Sequence, residues 1–293
     1  MKYSLRQLQI FLSIARYENI SKAAEQLHMS QSAASSALQT LEQAFNLSLF
    51  NRTGKKLELN EVGKTLRNKA QVLIAQAEEF EQALQGHSDI GHLKVGASFT
   101  IGNHLAVSYL AGYLARHPEA QVDINVANSS DVAAQVANYE VDIGMIEGAI
   151  QHKDLELIPW REDQLVVFCS PSHPLAKKQH LTDADIVAAR WILREPKSGA
   201  RHTFNNALAG LMPKLDIYLQ FKHNEAIKKA VEAGLGIGCL SEIVLQNNFK
   251  SGELVPLTLP KRDMTRTFYF VLPKNRHKTL ATDWWIEECN RTD

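Results

Sequence analysis

Ser21–Phe50 reads SKAAEQLHMSQSAASSALQTLEQAFNLSLF, and this stretch decides the fold of the N-terminal part of the chain. Its apolar residues recur at intervals of three and four, which predicts two short amphipathic helices. The first runs from about Lys22 to His28 with Ser21 as its cap, and the second begins near Gln31. Small alanines on the inner side of the first helix allow the second to cross it closely. The pattern therefore predicts a helix-turn-helix unit.

The second of these helices has one apolar face and one polar face. The apolar stripe is formed by Ala34, Leu38, Leu41 and Phe45. The opposite face carries short, uncharged hydrogen-bonding side chains, and its candidate DNA-reading residues are Gln31, Ser32, Ser35, Ser36 and Gln39. Such groups can approach base edges in the major groove without the desolvation cost of a buried charge. The alternative is a three-helix packing unit, completed by a helix over 5–17, whose polar face meets only water.

A basic turn follows the two helices. Asn51–Lys56 contains a glycine and lies between two short apolar alternations, which predicts a β-hairpin wing. Arg52, Lys55 and Lys56 are the candidate phosphate contacts, and a solvated loop is the alternative for each of them. Residues 1–64 hold eight basic and five acidic side chains, a net charge of +3, while the chain of 293 residues is neutral. A basic end on a neutral protein is expected when only that end meets duplex DNA.

These motifs together resemble a known family. A capped A-A-x-x-L helix, an S-Q-S-A start to the next helix, L-E, L-x-L-F and x-R are similar to the N-terminal winged helix-turn-helix of the LysR-type transcriptional regulators. The resemblance covers residues 5–63. It implies that the five candidate reading residues face a DNA operator and that Arg52 contacts the operator backbone. The chain departs from the family at Ser36, where arginine is frequent, and at Leu59–Gly63, where L-T-x-x-G is frequent, so no base preference is carried over.

A long helical pattern connects this region to the rest of the chain. Its apolar residues form one seam: Leu59, Val62, Leu66, Leu73, Ala77, Phe80 and Leu84. Asn60 is placed to cap the start of the helix and Gly86 to end it. About 25 residues of helix extend roughly 37 Å, too far for one monomer to cover, so a partner helix is expected, with a fold-back within the chain as the alternative. A two-fold dimer held in this way would bind the two half-sites of an inverted repeat.

From residue 91 onward, strand patterns alternate with helix patterns, which predicts an α/β domain. The effector domain of the LysR family is similar: it has two α/β lobes like those of a periplasmic solute-binding protein, and here the crossovers fall near Glu162 and Thr265. The predicted fold class is α+β multidomain, with an N-terminal winged helix-turn-helix, a long linker helix and a C-terminal two-lobed, periplasmic-binding-protein-like effector domain. The expected boundaries are 1–60 for the DNA-binding domain, 61–88 for the linker and dimerisation helix, and 89–293 for the effector-binding domain, with lobe I over 91–162 and 266–293 and lobe II over 163–265.

Polar residues follow several of the predicted strands, at the ends where ligands bind in open α/β sheets. The candidate effector contacts are Ser98, Thr100, Ile101, Asn128, Ser129, Glu147, Ser198, Arg201 and Asn224. Each one taken singly is also explained as an ordinary helix cap, which is the alternative. Hydroxyl, amide and guanidinium donors favour a small anion, and Glu147 would either discourage large anionic groups or accept a proton from the ligand.

The motifs ASFTIGN, ANSSDV, VDIGMIEG and SGARHTF resemble those of LysR regulators that sense sulfur oxyanions. This resemblance implies sulfite or sulfate as the first expectation for the effector. A small organic acid is the alternative effector. A solute-binding or transport module is a further alternative. The missing export signal and the predicted N-terminal helix-turn-helix both argue against it.

The chain lacks the patterns of an enzyme, a cofactor site or a metal site. No serine falls in G-x-S-x-G and no His-Glu metal spacing occurs. Gly234–Gly238 follows a helix pattern and leads into a strand pattern, the reverse of the dinucleotide-binding order, so it is interpreted as a helix stop and a close strand crossing. The three cysteines are far apart in the sequence and are expected to be buried thiols. We therefore expect no catalysis, no cofactor and no metal.

Neither a charged-then-apolar leader nor an apolar stretch of membrane length occurs in the sequence, which predicts a cytoplasmic protein that makes no membrane contact. Its expected partners are double-stranded DNA with an inverted-repeat operator, a small anionic effector and further copies of itself. The self-association is expected to give a homodimer or homotetramer. RNA polymerase is a further candidate partner.

Overall fold

A computed structural model describes residues 2–53, 56–84, 92–260, 262–274 and 278–291. The chain forms two compact units, Met1–Ser88 and Asp89–Asp293. Each unit has apolar cores of its own. Within the described part of the chain, no helix is both long enough and apolar enough to cross a membrane.

The N-terminal unit is a winged helix-turn-helix followed by a long helix, as the sequence predicts. Its elements are α1 (Leu5–Tyr17), α2 (Ile20–Gln26), α3 (Gln31–Ala44), β1 (Phe50–Thr53), β2 (Lys56–Leu59) and α4 (Glu61–Leu84). Ala23 and Ala34 are completely buried where α2 and α3 pack. These small side chains allow a close helix crossing, and Phe11 and Ile14 of α1 complete the core.

The start of α2 differs from the prediction. The helix begins at Ile20 and its cap is Asn19, whose side chain accepts a hydrogen bond from the Lys22 amide at 3.0 Å. Ser21 already lies inside the helix, because the extended backbone needed at a cap occurs two residues earlier. The predicted start of α3 is confirmed, since the Ser30 hydroxyl accepts a hydrogen bond from the Ala33 amide at 3.2 Å.

The long helix α4 is tied to the wing at its start and leaves part of its apolar surface uncovered. Asn60 accepts a hydrogen bond from the Gly63 amide at 2.8 Å and donates one to the Ser48 carbonyl at 2.7 Å, which confirms its predicted capping role. Leu66 and Ala70 pack against the helix-turn-helix core, whereas Phe80 is 66% exposed. An apolar groove of about 400 Å³ opens beside α1 and α4. The predicted helix end at Gly86 lies outside the described residues.

The C-terminal unit is built on a mixed nine-stranded sheet. The strands are β3 (His92–Ser98), β4 (Gln121–Ala127), β5 (Ile143–Glu147), β6 (Leu155–Cys169), β7 (Arg190–Arg194), β8 (Asp216–Phe221), β9 (Ile237–Ser241), β10 (Val255–Leu257) and β11 (Thr265–Pro273). Their order is β4-β3-β5-β11-β6-β9-β7-β8, with β10 beside β6. Strands β4, β3 and β5 form one parallel set, and β9, β7 and β8 form another.

Two long antiparallel strands connect these parallel sets. Strand β11 pairs with β5 on one side and with β6 on the other. Strand β6 pairs with β11 over its first part and with β9 and β10 over its last part. The chain therefore passes between the two halves of the sheet along β6 and β11, the strands that contain Glu162 and Thr265.

Helices cover both parallel sets. They are α5 (Phe99–His104), α6 (Ala106–Arg116), α7 (Ser129–Ala137), α8 (Asp183–Ala188), α9 (Gly199–Ala207), α10 (Asn224–Glu232), α11 (Glu242–Ser251) and α12 (Leu280–Arg291). The first of these, α5, is a short helix that begins directly after β3 and is separate from α6. Leu105 separates the two, and Ile101 of α5 is completely buried against the sheet.

Each half of the sheet has an aromatic centre. In the first half, Trp285 of α12 lies edge-on to Tyr113 of α6, with ring centroids 5.6 Å apart. In the second half, Trp191 lies 4.9 Å from Phe204, and its indole N–H donates to the Ile186 carbonyl at 2.9 Å. Trp285 and Trp191 are both completely buried, so each half has a core that orders its own strands and helices.

The glycine run after α10 is a helix stop followed by a strand, as predicted. Gly234 adopts the left-handed conformation with φ +77°, and strand β9 begins at Ile237. Gly236 lies against the Arg190 carbonyl, where a side chain would overlap the backbone. This arrangement is a helix C-terminus and a close strand approach, and it does not cradle a dinucleotide phosphate.

The two halves meet where the start of α9 lies against the end of β5. A Cβ atom on Gly199 would overlap the Glu147 carbonyl oxygen. We therefore predict that Gly199→Ala forces α9 away from β5 and lowers the free energy of unfolding by about 1–3 kcal/mol in urea titrations. Gly210→Ala is the matched control, since a Cβ atom there meets no atom within 4 Å. Equal stability of the two variants would contradict a close contact between α9 and β5.

Candidate functional site

The predicted reading face of α3 is available at the surface of the N-terminal unit. Gln31, Ser32, Ser36 and Gln39 are exposed, and Ser35 is half-buried. The Ser30 and Ser32 hydroxyls lie 3.1 Å apart, and the Thr40 hydroxyl donates to the Ser36 carbonyl at 2.9 Å. The side chains of Gln31 and Gln39 are therefore the longest hydrogen-bonding groups on this face.

The wing is present as an antiparallel hairpin. Arg52 pairs with Leu57, and Thr53 pairs with Lys56. Lys55 and the side chains of Arg52 and Lys56 lie outside the described residues. The hairpin confirms the predicted wing, and the three phosphate contacts stay predictions.

All nine predicted effector contacts are buried and lie at or after the carboxyl ends of parallel strands. They end or follow β3, β4 and β5 in the first half and follow β7 and β8 in the second half: Ser98, Thr100, Ile101, Asn128, Ser129, Glu147, Ser198, Arg201 and Asn224. Burial of so many polar side chains is unusual, because each must find a hydrogen-bond partner or a ligand.

Several of these residues act as helix caps, which is the alternative that the sequence left open. Asn128 accepts a hydrogen bond from the Asp131 amide at 2.8 Å, and Ser198 accepts one from the Arg201 amide at 3.0 Å. The Ser98 hydroxyl makes no such bond to α5. It lies close enough to Glu147 to lower the pKa of that carboxyl but does not complete a hydrogen bond of standard geometry.

The two halves touch across the cleft that these strand ends face. The Ser130 hydroxyl donates to the Lys197 carbonyl at 3.3 Å, and the Lys197 ammonium lies 3.6 Å from Asp131. Phe99 and His223 meet edge-on with ring centroids 5.1 Å apart. The candidate residues of both halves therefore belong to one cleft.

Glu147 contacts both halves of this cleft. Its Oε1 accepts a hydrogen bond from the Thr100 amide at the start of α5, at 2.9 Å. Its backbone amide donates to the Ser129 hydroxyl at 3.3 Å, and Gly199 of α9 packs on its carbonyl. An internal carboxylate thus occupies the Thr100 amide in the first turn of α5.

A buried arginine that the sequence analysis missed holds this carboxylate. The Arg266 guanidinium on β11 lies 2.5 Å from Glu147 Oε2 and 2.6 Å from Asp163 Oδ2 on β6. Asp163 also accepts a hydrogen bond from the Ser241 hydroxyl at 2.6 Å, and Ser241 caps α11. One guanidinium on β11 therefore connects the end of β5 with β6.

The protonation of Glu147 follows from this pairing. Burial alone would raise its pKa, but Arg266, Arg194 and the Thr100 amide lower it to about 2. Burial raises the pKa of Asp163, and Arg266 opposes that rise. Removing one partner of such a buried pair costs about 3–5 kcal/mol, because the remaining charge is left in the interior.

Two further arginines lie at the second half of the cleft. Arg194 pairs with both oxygens of Glu195, at 2.9 and 3.1 Å, and donates to Asn224 Oδ1 at 2.9 Å. Its guanidinium also lies over the Phe99 ring, 4.9 Å from the centroid. Arg201 donates through Nη1 to the Arg194 carbonyl and to Gln220, so much of its hydrogen-bonding capacity is used inside the second half.

One buried donor of the cleft has no partner. Asn224 Nδ2 makes no hydrogen bond with any described residue, although Asn224 is only 4% exposed. An unpaired buried amide hydrogen costs about 1–3 kcal/mol unless a ligand or water accepts it. Asn224 therefore has one buried donor that no described residue satisfies.

The missed residues had a weak signal in the sequence. Arg266 falls on the same side of β11 as the buried Phe268 and Phe270. A charge at an inward-facing strand position requires an opposite charge nearby, although the pattern does not say which residue supplies it. Asp163 on β6 is the other inward charge.

The cysteines do not add a reactive group to the cleft. Cys169 and Cys239 are buried in the core of the second half. Burial raises the pKa of the Cys169 thiol to about 11 and that of Cys239 to about 12. Both are therefore neutral thiols at neutral pH, as predicted for buried cysteines.

Both units match models of known protein families. A family model described as a bacterial regulatory helix-turn-helix protein of the lysR family matches residues 5–64, and one described as a LysR substrate binding domain matches residues 86–293. The chain belongs to the LysR family of transcriptional regulators. As a LysR-type regulator it combines a DNA-binding domain with an effector-binding domain.

Full-length relatives agree with this assignment. The HTH-type transcriptional regulator YeiE of Escherichia coli is 37% identical over 290 residues, which cover 99% of this chain and 98% of that protein. The HTH-type transcriptional regulator CysL of Bacillus subtilis is 30% identical over 268 residues, which cover 90% of this chain and 89% of that protein.

Solved structures of LysR-type regulators share the fold. A full-length OxyR variant from Pseudomonas aeruginosa matches with a TM-score of 0.76 at 19% identity, covering 99% of this chain and 95% of that one. The CcmR regulatory domain of Synechocystis, solved in complex with 2-PG, matches with a TM-score of 0.64 at 24% identity, covering 69% of this chain and 97% of that one.

The low pKa of Glu147 predicts a specific acid sensitivity. Its contribution to stability is fully present above the ordinary pKa of 4.5 and is lost as the pH falls towards about 2, since protonation breaks its pairing with Arg266. The free energy of unfolding should therefore fall more steeply over this range in the wild type than in Glu147→Gln. Urea titrations at successive pH values measure both slopes. Glu119→Gln, at an exposed position, controls for the loss of one charge, and parallel slopes for wild type and Glu147→Gln would refute the assignment.

Proposed function

We propose that this LysR-type regulator reads an inverted-repeat operator through Gln31, Ser32, Ser35, Ser36 and Gln39, and that a small oxyanion in the interlobe cleft controls this binding. Sulfite or sulfate is the first choice of effector. The observation that carries the proposal is the convergence of nine buried, mostly polar residues on facing strand ends, together with the unpaired Asn224 amide. The cleft motifs that resemble sulfur-oxyanion sensors support the choice of anion.

A small organic acid is the alternative effector. The CcmR regulatory domain, which shares the fold, was solved in complex with 2-PG. An organic acid would use the same amide and hydroxyl donors but needs space for its carbon skeleton. The close packing of Gly199 on Glu147 and of Phe99 on His223 favours a compact ligand instead.

Effector binding would act on the regulator through the contacts between the lobes. A ligand that enters the cleft replaces contacts such as those between Lys197 and Asp131 or between Phe99 and His223. The equilibrium between two arrangements of the lobes shifts only if the ligand binds one of them better. The proposed control of DNA binding therefore requires different effector affinities in the two arrangements.

The linker helix would hold two winged helix-turn-helix units together in a dimer. Val62, Leu73 and Phe80 of α4 are exposed in the single chain, and the apolar groove beside α1 and α4 lies on the same unit. An uncovered apolar helix surface of this length is typical of a self-association interface. This supports a homodimer or homotetramer, whose paired reading helices would match the two halves of an inverted repeat.

Sulfite should stabilise the full-length protein against heat. We expect millimolar sulfite to raise the melting temperature in differential scanning fluorimetry, because a ligand that binds only the folded state shifts the unfolding equilibrium. Asn224→Ala should reduce the shift, whereas Asn206→Ala, at an exposed position of α9, should retain it. A shift with a small organic acid and none with sulfite or sulfate would favour the organic-acid alternative.

The proposed roles of Gln31 in base contact and of Arg52 in backbone contact predict two distinct binding defects. Gln31→Ala should reduce discrimination between operator and random duplex, because it removes a base contact. Arg52→Ala should weaken binding to all duplexes and lower the slope of log affinity against log salt by about 1. Fluorescence anisotropy over a salt series measures both effects. Gln43→Ala, at the exposed far end of α3, is the control, and identical losses on both duplexes for Gln31→Ala and Arg52→Ala would contradict the assignment.

A further inference from the structure

Glu147 retains hydrogen-bond acceptor capacity inside the cleft. Its Oε1 accepts one bond from the Thr100 amide, and its Oε2 accepts one from Arg266. An ionised carboxylate offers about four acceptor sites, two on each oxygen. The nearby Ser98 hydroxyl, which has no other partner, can occupy a third site, so one acceptor site is left for a donor that the described protein residues do not supply.

The groups around Glu147 keep it ionised at neutral pH. Arg266 of β11 pairs with it directly, and Arg194 of β7 adds a second positive charge. The other charged group on the Arg266 guanidinium is Asp163 of β6. Glu147 therefore acts only as a hydrogen-bond acceptor, and it cannot donate to a ligand oxygen.

A free donor lies in the same cleft. Arg194 binds Asn224 Oδ1 at 2.9 Å, which orients the amide so that Nδ2 is left without a partner. The same arginine stacks on Phe99, the residue next to Thr100, and so connects Asn224 with the surroundings of Glu147. The second half of the cleft thus has an unsatisfied donor, and the first half has an acceptor with one spare lone pair.

We propose that the effector cleft selects oxyanions that carry a proton, with Glu147 accepting a hydrogen bond from the O–H group of the ligand and Asn224 donating to an unprotonated oxygen. This inference rests on the proposed oxyanion function and narrows it. Hydrogen sulfite and hydrogen phosphate have both kinds of oxygen. Sulfate has no proton at neutral pH, so one of its oxygens would face the lone pairs of Glu147 without a hydrogen between them. Glu147 then determines specificity, because it rejects fully deprotonated anions.

Isothermal titration calorimetry on the full-length protein tests this selection with sulfite, inorganic phosphate and sulfate at neutral pH. Phosphate and sulfate are the decisive pair, since both are tetrahedral and similar in size but only phosphate carries a proton. We expect sulfite and phosphate to bind at least about tenfold more tightly than sulfate, the effect of one unfavourable buried contact.

Substitution of Glu147 should change this ratio. Glu147→Gln supplies an amide that can donate, so sulfate should gain affinity and the preference for phosphate should fall by about tenfold. Glu147→Asp keeps the carboxylate and should keep the preference for phosphate. Asp163→Asn also removes a negative charge from Arg266 but leaves the acceptor at position 147, so it should change both affinities by the same factor.

The outcomes separate this inference from the function on which it rests. Wild-type protein that binds sulfate as tightly as phosphate would overturn the selection while leaving an oxyanion effector in place, and this comparison decides the matter even if Glu147→Gln does not fold. An equal change of the ratio in Asp163→Asn and Glu147→Gln would show that bulk charge sets the preference, which also overturns it. Failure of all three anions to bind the wild type would remove the oxyanion function itself.

Discussion

The guanidinium of Arg266 is shared between Glu147 and Asp163 in the interior of the C-terminal unit, and much of that unit is arranged around it. A buried charge is tolerated only when an opposite charge and hydrogen bonds compensate its lost hydration. The end of β5 must therefore lie beside β11, and Asp163 of β6 must face the same guanidinium. Ser241, which donates to Asp163, brings the start of α11 to this point as well.

This constraint has a direct consequence for the cleft. Glu147 is held at the carboxyl edge of β5 as an ionised acceptor, and the Thr100 amide is already paired with it. The cleft is therefore not lined by donors alone, because the protein itself supplies a carboxylate there. For the proposed effector site, the unpaired Asn224 Nδ2 and the remaining acceptor site of Glu147 are the groups that a ligand would complement.

The N-terminal unit depends on different physics. Its three helices are held by apolar burial around Phe11, Ala23 and Ala34, and their ends are set by Asn19 and Ser30 side chains. Nothing charged is needed in this core. The polar face of α3 consequently does not pack in the core. Its side chains remain accessible to a DNA partner.

The sequence by itself determined the features that depend on residues close together in the chain. Helical periodicity, the start of α3 near Gln31, the cap at Asn60 and the glycine-containing wing are local, and so is the placement of polar residues after strands. The family and both units follow from these patterns. The cap of α2 was misplaced at Ser21, because the extended backbone that a cap needs occurs at Asn19.

Only the tertiary structure decided how the cleft is charged. Arg266 is 119 residues from Glu147 and 103 residues from Asp163, and a single sequence carries no signal that pairs residues across such distances. The strand order β5-β11-β6 makes these three residues neighbours. Burial then converts that proximity into ion pairs, since the interior allows none of the three charges to remain alone.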